Sequence, residues 1–130
     1  MKTFLYCFAS LLSLVFHSCN SQAQSGSLLP PVDFKKKVEA TTNPVIVDVR
    51  TPDEYIDGHL PNAVNMDWEG DHFDQQIQKL DKNASVFVYC YGGGRSEDAA
   101  KALRKQGFSK VYDLDGGFAA WRKAGLPEVK

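Results

Sequence analysis

Hydrophobic residues fall into short β-branched runs that are separated by segments in which apolar residues recur at helical spacing. The runs Val45–Val49 and Val86–Tyr89 are almost wholly apolar, which is typical of strands buried on both faces. Shorter strands are predicted at Ala63–Asn65 and Val111–Leu114. Strands that alternate with helices indicate an α/β fold with a mainly parallel sheet, covered by helices on both faces.

Helices are predicted wherever apolar spacing coincides with start and stop signals. The predicted helices are Asp33–Ala40, a segment that starts at Thr51 and stops by Gly58, Asp71–Leu80, a segment from Ser96 to Gly107, and Phe118–Ala124. Asp33 is expected to cap the first helix. The sequence Thr51-Pro52-Asp53-Glu54 has the form of a capping box, since Thr51 can cap the helix and Glu54 can reach back to it.

The N-terminal segment has the features of a secretory signal peptide. Lys2 supplies a positive start, Phe4–Phe16 is apolar but too short to span a bilayer, and a polar stretch follows. Cleavage could fall at Cys19, which follows the apolar stretch as in a bacterial lipobox, or after Ala23. We favour Cys19 as a lipidation site, which predicts an exported protein of the periplasm or cell envelope that is held to the membrane by lipid alone.

Length and charge limit what the mature protein can be. The expected organisation is a signal peptide at 1–18, a polar tether at 19–27 and one folded domain at 28–130. With 15 Lys and Arg against 16 Asp and Glu, scattered among one another, the chain has no basic stripe for nucleic acid. We therefore expect a monomeric globular domain without a nucleic-acid partner.

The cysteine count singles out one thiol. The chain has three cysteines; Cys7 would leave with the signal peptide, and Cys19 would be lipidated or removed. Cys90 would then remain in the folded domain without a partner for a disulfide bond. An unpaired cysteine in an exported protein suggests either deep burial or a use for the thiol.

The residues around Cys90 favour a reactive thiol. Cys90 follows a predicted strand, where ligands of open α/β sheets bind, and the three glycines Gly92–Gly94 let backbone N–H groups converge on one point. The start of the next helix and the charge of Arg95 both favour thiolate. Taken singly, a cysteine at a strand end is usually a small buried hydrophobe and three glycines can be a flexible turn. Their combination indicates function, and no Cys-x-x-Cys sequence supports disulfide exchange.

Four separated motifs resemble the rhodanese family. They are Asp48-Val49-Arg50 with Glu54-Tyr55, Gly58-His59-Leu60-Pro61-Asn62-Ala63, Cys90-Tyr91-Gly92-Gly93-Gly94-Arg95-Ser96, and Leu114-Asp115-Gly116-Gly117-Phe118-Ala119-Ala120-Trp121. The resemblance spans about Leu28 to Pro127. It implies an α/β fold around a five-stranded parallel sheet and a sulfurtransferase activity.

The resemblance also implies roles for the loop residues. Cys90 matches the nucleophile that takes sulfur from a small anionic donor such as thiosulfate, becomes a persulfide and passes the outer sulfur to cyanide or a thiol. Arg95 matches a position that would hold the donor. The substrate-binding residues implied are Tyr91, Gly92, Gly93, Gly94, Arg95 and Ser96. The resemblance implies no metal and no organic cofactor.

Two other classes of function remain open at this stage. Related cysteine-dependent phosphatases and arsenate reductases use the same Cys and Arg arrangement, but the phosphatase loop is one residue longer than the four residues between Cys90 and Arg95. The short loop favours sulfur over phosphate. Rhodanese-like domains also serve as non-enzymatic binding modules, usually with the cysteine replaced, and the presence of Cys90 argues against that alternative.

Other polar and aromatic residues are interpreted as structural. Asp48, Arg50 and Glu54 are expected to form a hydrogen-bonded cluster that holds the fold. His59 is expected to make a structural hydrogen bond, and Trp121 to pack in the core.

Overall fold

The computed structural model describes residues 27–130, which form five strands and five helices in strict alternation. The strands are β1 (Ser27–Leu29), β2 (Val45–Asp48), β3 (Val64–Asn65), β4 (Ser85–Tyr89) and β5 (Lys110–Leu114). The helices are α1 (Pro31–Glu39), α2 (Pro52–Ile56), α3 (Phe73–Gln78), α4 (Gly94–Lys105) and α5 (Gly117–Lys123). Within these residues no helix is both long and apolar enough to cross a membrane.

The five strands form one parallel sheet in the order β1-β5-β4-β2-β3, which confirms the predicted fold class. Strand β4 lies at the centre, where its residues from Val86 to Tyr89 are fully buried. A parallel sheet aligns the carboxyl ends of its strands along one edge, so β4 delivers the next residue, Cys90, to the middle of that edge.

Two hydrophobic layers cover the sheet. Because successive side chains of a strand face opposite sides, Val86 and Val88 pack under α3 and α4, while Phe87 and Tyr89 pack under α1 and α5. Phe34 of α1 joins the second layer through edge contacts with Phe87 and Trp121. The predicted packing role of Trp121 is confirmed, since it is buried and its indole N–H donates to the Pro127 carbonyl at 2.8 Å.

Some predicted boundaries differ from the structure. Helix α1 begins at Pro31, because Pro30 and Pro31 set the entry, so Asp33 lies in the first turn and is not the cap. Helix α4 begins at Gly94, two residues before the predicted start at Ser96. The hydrophobic pattern does not predict strand β1, and Ser27, the last residue of the predicted tether, is the first residue of this strand and pairs with Tyr112.

Candidate active site

Cys90 lies directly after β4 and is a free thiol with 1% of its surface exposed. It belongs to the hydrophobic layer under α4, together with Val88 and Ala99. The backbone around it is fastened to the start of α5, because Phe118 N–H donates to the Cys90 carbonyl at 2.8 Å and Ala119 N–H donates to the Tyr91 carbonyl at 3.0 Å. The Cys90 thiol is therefore buried, and the backbone of its loop is held by the start of α5.

Gly93 brings a backbone donor to the sulfur. Its N–H donates to Cys90 Sγ at 3.0 Å, and its φ of +112° is a conformation that side-chain-bearing residues rarely adopt. Helix α4 begins at the next residue, so the positive end of its dipole lies beside the same loop. This contact supplies one donor of the backbone cradle expected at Gly92–Gly94, which otherwise stays a prediction.

Gly117 allows the turn after β5 to approach the loop. A Cβ added at this residue would lie 2.4 Å from the Tyr91 carbonyl oxygen and 2.6 Å from that of Cys90, and its φ is +60°. No residue with a side chain fits that gap without moving the backbone. Gly117, the second glycine of the Gly116-Gly117 motif, therefore allows the turn after β5 to pack closely against the loop after Cys90.

Arg95 has a partner that the sequence analysis did not assign to it. Its guanidinium makes two hydrogen bonds to Glu54 at 2.8 and 2.9 Å, and Glu69 lies 3.6 Å away. The hydrogen bond from Arg95 lowers the pKa of Glu54 to about 2, and Thr51 contributes in the same direction. About a quarter of the Arg95 side chain, 26%, stays exposed. The pair ties the reactive loop to α2.

Glu54 also closes the predicted capping box. Thr51 N–H donates to the Glu54 carboxylate at 3.1 Å, and Glu54 N–H donates to the Thr51 hydroxyl at 3.4 Å, which confirms the box. One carboxylate therefore serves the helix cap and Arg95 together. The expected cluster of Asp48, Arg50 and Glu54 is split by this arrangement, because Glu54 turns to the loop.

Asp48 and Arg50 form the fold-holding part of that cluster. Arg50 Nη2 donates to Asp48 at 2.6 Å and to the Gly58 carbonyl at 2.7 Å, and both side chains are buried. Tyr89 O–H donates to Asp48 at 2.7 Å and accepts from the Leu60 N–H at 3.1 Å. Burial together with the Asp48 carboxylate raises the pKa of Tyr89. These bonds join β2 to β4, so the predicted structural role is confirmed for Asp48 and Arg50, while the participation of Tyr89 was not predicted.

His59 has a structural environment as well. Its Nδ1 lies 2.9 Å from the Tyr55 carbonyl oxygen, and its ring stacks on the Tyr55 ring with centroids 3.8 Å apart. The predicted structural hydrogen bond is confirmed. Across residues 27–130 no group of three or more His, Cys, Asp or Glu residues is arranged to hold a metal ion.

The sequence patterns did not predict that two polar side chains near the loop, Ser96 and Asp113, are buried. Ser96 is fully buried and its hydroxyl donates to the Gly93 carbonyl at 3.1 Å, so its side chain supports the loop from inside. Asp113 on β5 is 4% exposed, and burial raises its pKa to about 6. The available signal was strand alternation: Asp113 lies two residues after Val111, on the side of β5 that faces α4.

A cavity of about 520 Å³ opens beside the loop. Its walls include Gly92–Gly94 on one side, Lys101 and Arg104 of α4 on another, and Asp113 and Asp115 at the end of β5. The cavity volume lies in the range of small-molecule sites.

Known proteins are similar to this chain in sequence and in fold. Residues 31–124 match the rhodanese-like domain family. The chain is 42% identical over 78 residues to the thiosulfate sulfurtransferase GlpE of Pseudomonas entomophila, a match that covers 60% of this chain and 70% of that protein. The corresponding protein of Coxiella burnetii is 41% identical over 78 residues, covering 60% of this chain and 71% of the relative.

Solved structures give the same result at the level of the fold. The rhodanese-like domain of an Anabaena protein superposes with a TM-score of 0.70 at 33% identity, covering 78% of this chain and 77% of that one. A rhodanese-related protein of Thermoplasma volcanium has a TM-score of 0.70 at 26% identity, covering 79% of this chain and 97% of the other. The chain described here belongs to the rhodanese-like domain family.

Proposed function

We propose that the protein is a sulfurtransferase that carries a sulfane sulfur as a persulfide on Cys90, with thiosulfate as a donor. The observation that carries the proposal is the Gly93 N–H bond to Cys90 Sγ at 3.0 Å, in a loop between the central strand and the start of α4. Such a donor stabilises negative charge on sulfur both before and after transfer. The GlpE relatives, which are thiosulfate sulfurtransferases, support the same reaction.

In the first half of the reaction the Cys90 thiolate attacks the outer sulfur of thiosulfate. A bond forms between Sγ and that sulfur, the S–S bond of thiosulfate breaks, and sulfite leaves with the electron pair. The backbone from Tyr91 to Ser96 surrounds the sulfur that is gained. Helix α4 adds the positive end of its dipole, which favours the anionic persulfide.

In the second half an acceptor attacks the outer sulfur of the persulfide. Cyanide gives thiocyanate, and a thiolate gives a new persulfide; in both cases the electron pair of the broken S–S bond returns to Cys90 as thiolate. The two half-reactions move one sulfane sulfur atom from the donor to the acceptor, and they need no external oxidant or reductant. Cys90 is the group that forms and breaks the bonds.

Arg95 is proposed to attract the anionic donor with the part of its guanidinium that Glu54 leaves exposed. Arg95→Ala should raise the KM for thiosulfate more than it lowers kcat, because ground-state anion binding is lost. A charge-assisted contact contributes about 1.5–3 kcal/mol, which corresponds to roughly a tenfold to hundredfold loss. Arg95→Lys keeps the charge and should retain part of the affinity. An unchanged thiosulfate profile in Arg95→Ala would remove Arg95 from the donor site.

Intact-mass analysis tests the central proposal. After incubation with thiosulfate and removal of excess donor, the protein should gain the mass of one sulfur atom, and cyanide should remove it again. Cys90→Ser is the matched control and should gain nothing, because serine is a much weaker nucleophile toward sulfur. Absence of the adduct in the natural protein, combined with hydrolysis of a small aryl phosphate, would establish the phosphatase alternative. Absence of both activities would favour a binding module.

Export and a lipid anchor at Cys19 are a separate part of the proposal, supported by the apolar segment Phe4–Phe16 that precedes this residue. Cys19 lies outside the described residues. Detergent partitioning of the protein expressed in a bacterial host tests the anchor. The natural protein should enter the detergent phase, and Cys19→Ala should stay in the aqueous phase. Equal partitioning and equal processing of both proteins would make cleavage after Ala23 the better alternative.

A further inference from the structure

The guanidinium of Arg95 lies against two carboxylates. It makes two hydrogen bonds to Glu54, at 2.8 and 2.9 Å, and an oxygen of Glu69 lies 3.6 Å from its Nη1. The hydrogen bond to Glu54 raises the pKa of Arg95, and the charges of Cys90 and Glu69 act in the same direction. Two negative charges therefore face one positive charge at the place where the sulfur donor is proposed to bind.

The Glu54 carboxylate is fixed beside Arg95 by bonds to its own helix. Its Oε2 accepts from the backbone N–H and from the hydroxyl of Thr51, both at 3.1 Å, as well as from Arg95 Nη1. Its Oε1 accepts from Arg95 Nη2. Because Glu54 occupies both terminal nitrogens, a sulfur donor has to use the guanidinium N–H groups that remain. The donor meets the charge of Glu54 whenever it meets that of Arg95.

Glu69 lies in a turn whose backbone is anchored to the sheet. Trp68 N–H donates to the Val49 carbonyl at 3.1 Å, and Glu69 N–H donates to the Asp67 carboxylate at 3.0 Å. Trp68 packs against the hydrophobic layer that contains the reactive thiol. The side chain of Glu69 is 61% exposed, and 3.6 Å is too long for a hydrogen bond to the guanidinium. Glu69 therefore acts through its charge, from a turn that is held in place.

We propose that Glu54 and Glu69 are specificity-determining residues, which lower the use of doubly charged sulfur donors relative to singly charged ones such as thiosulfonates. The inference rests on the proposed function of Cys90 and on Arg95 as the group that attracts the donor. Coulomb energy is proportional to the charge of the donor, and two carboxylates with one guanidinium are net negative, so a dianion is repelled about twice as strongly as a monoanion.

A thiosulfonate reacts at Cys90 by the same steps as thiosulfate. The Cys90 thiolate attacks the outer sulfur, a new bond to Sγ forms, and the S–S bond of the donor breaks. A sulfinate then leaves with the electron pair, in the place of the sulfite that thiosulfate releases. The two kinds of donor therefore give the same persulfide and differ in charge.

Thiosulfate and the methanethiosulfonate anion are the probes, since a methyl group replaces one charged oxygen at nearly the same size. The measured quantity is the kcat/KM for thiosulfate divided by that for methanethiosulfonate, with cyanide as the acceptor and at low ionic strength. The intrinsic reactivity of each donor cancels when this ratio is compared among variants. Glu69→Gln should raise the ratio about two- to tenfold, because it removes one negative charge near the donor. Glu54→Gln should also raise it, and the double variant should raise it further.

Glu128→Gln is the matched control. Glu128 makes the same kind of two-bond pair with Arg122, at 2.7 and 3.1 Å, so its substitution removes the same charge from the protein but not from Arg95. It should leave the ratio unchanged. An equal rise in Glu128→Gln would show that the net charge of the whole protein sets the ratio, and it would overturn the inference. An unchanged ratio in Glu69→Gln, which alters an exposed side chain and leaves the fold intact, would overturn it as well.

Added salt separates an effect of charge from a change in the shape of the loop. At an ionic strength of about 1 M, charges are screened over about 3 Å, so the ratios of the natural protein and of Glu69→Gln should converge. A difference that persists in high salt would mean that the substitution altered the loop, and the inference would be wrong. If neither donor places sulfur on Cys90 of the natural protein, the proposed function itself fails, so the two failures are distinguishable.

Discussion

Two glycine-containing turns meet at the reactive edge, and their glycines serve opposite purposes. In the loop after Cys90, a Cβ added at Gly92 or Gly94 would meet no atom of residues 27–130 within 4 Å beyond the adjoining backbone. In the turn after β5, a Cβ at Gly117 would overlap the carbonyls of Cys90 and Tyr91. The glycines of the loop leave space for a reactant, whereas Gly117 lets two backbones touch. Similar glycine-rich sequences therefore lie in two turns whose packing is different.

The largest effect on the free energy of unfolding is expected at Gly117, where a substitution should disrupt the close contact between the two turns. Gly117→Ala should lower the free energy of unfolding by about 3 kcal/mol, from a strained φ plus overlap with the loop carbonyls. Gly125→Ala is the control, because Gly125 has nearly the same φ, +67°, but open space around its Cβ position within residues 27–130. It should cost about 1 kcal/mol. Urea denaturation gives both values, and equal losses would mean that close approach is unimportant.

Gly93 has a positive φ and also donates its N–H to Cys90 Sγ. Its substitution should therefore affect folding moderately and sulfur transfer strongly. Gly93→Ala should cost about 2 kcal/mol, because its φ of +112° is unfavourable for alanine. Relaxation of that strain would also move the N–H away from Cys90 Sγ, so sulfur uptake should fall at least about tenfold, the worth of a hydrogen bond to a charged group. Gly107→Ala has a similar φ, +99°, without a sulfur contact. It should match the stability loss and keep full activity.

The sequence predicted the parts of this site that are local along the chain. The strand–loop–helix order around Cys90 follows from apolar runs and glycines, and the capping box of Thr51 and Glu54 from four consecutive residues. The Glu54–Arg95 pair joins residues that are 41 positions apart, and no local pattern announces it. Strand β1 was missed for a similar reason: it has three residues and pairs with β5 alone, so long-range pairing, not propensity, defines it.

The close packing at Gly117 could not be predicted from the sequence either, because it depends on the three-dimensional fold. A glycine pair between a strand and a helix reads as a turn, and the pattern does not reveal what lies within reach of a missing Cβ. The contact that decides its role comes from Cys90 and Tyr91, which precede it by more than twenty residues.

A smaller effect on stability is expected at low pH, because protonation of Glu54 weakens its ion pair with Arg95, which joins the loop to α2. The pKa of Glu54, lowered to about 2 by Arg95, lies below its usual value of 4.5, so the pair contributes stability that is present above about pH 4.5 and is lost as pH falls toward about 2. Because the pair is partly exposed, the contribution should stay below about 1 kcal/mol. Glu54→Gln should reduce this acid dependence, whereas Glu69→Gln, 3.6 Å from Arg95 and more exposed, should leave it. Denaturation series at several pH values compare the three proteins.

The smallest effect is expected at Gly92, and it sharpens the comparison most directly. Gly92→Ala introduces a Cβ that meets no atom of residues 27–130 within 4 Å apart from its two chain neighbours, so the free energy of unfolding should change by less than about 0.5 kcal/mol. Because the cradle is made of backbone N–H groups, the methyl group removes no donor, and uptake from the small donor thiosulfate should stay within a few-fold of the natural rate.

A large side chain at Gly92 tests whether the open space beside this residue matters for the reaction, as distinct from its backbone conformation. Gly92→Phe should also fold normally, but its ring would extend from the loop wall into the cavity of about 520 Å³ and hinder bulky acceptors. Discharge of the persulfide to cyanide should then remain, while discharge to a large thiol should slow. If Gly92→Ala is instead as unstable as Gly117→Ala, the open glycines are conformational requirements and the contrast between the two turns disappears.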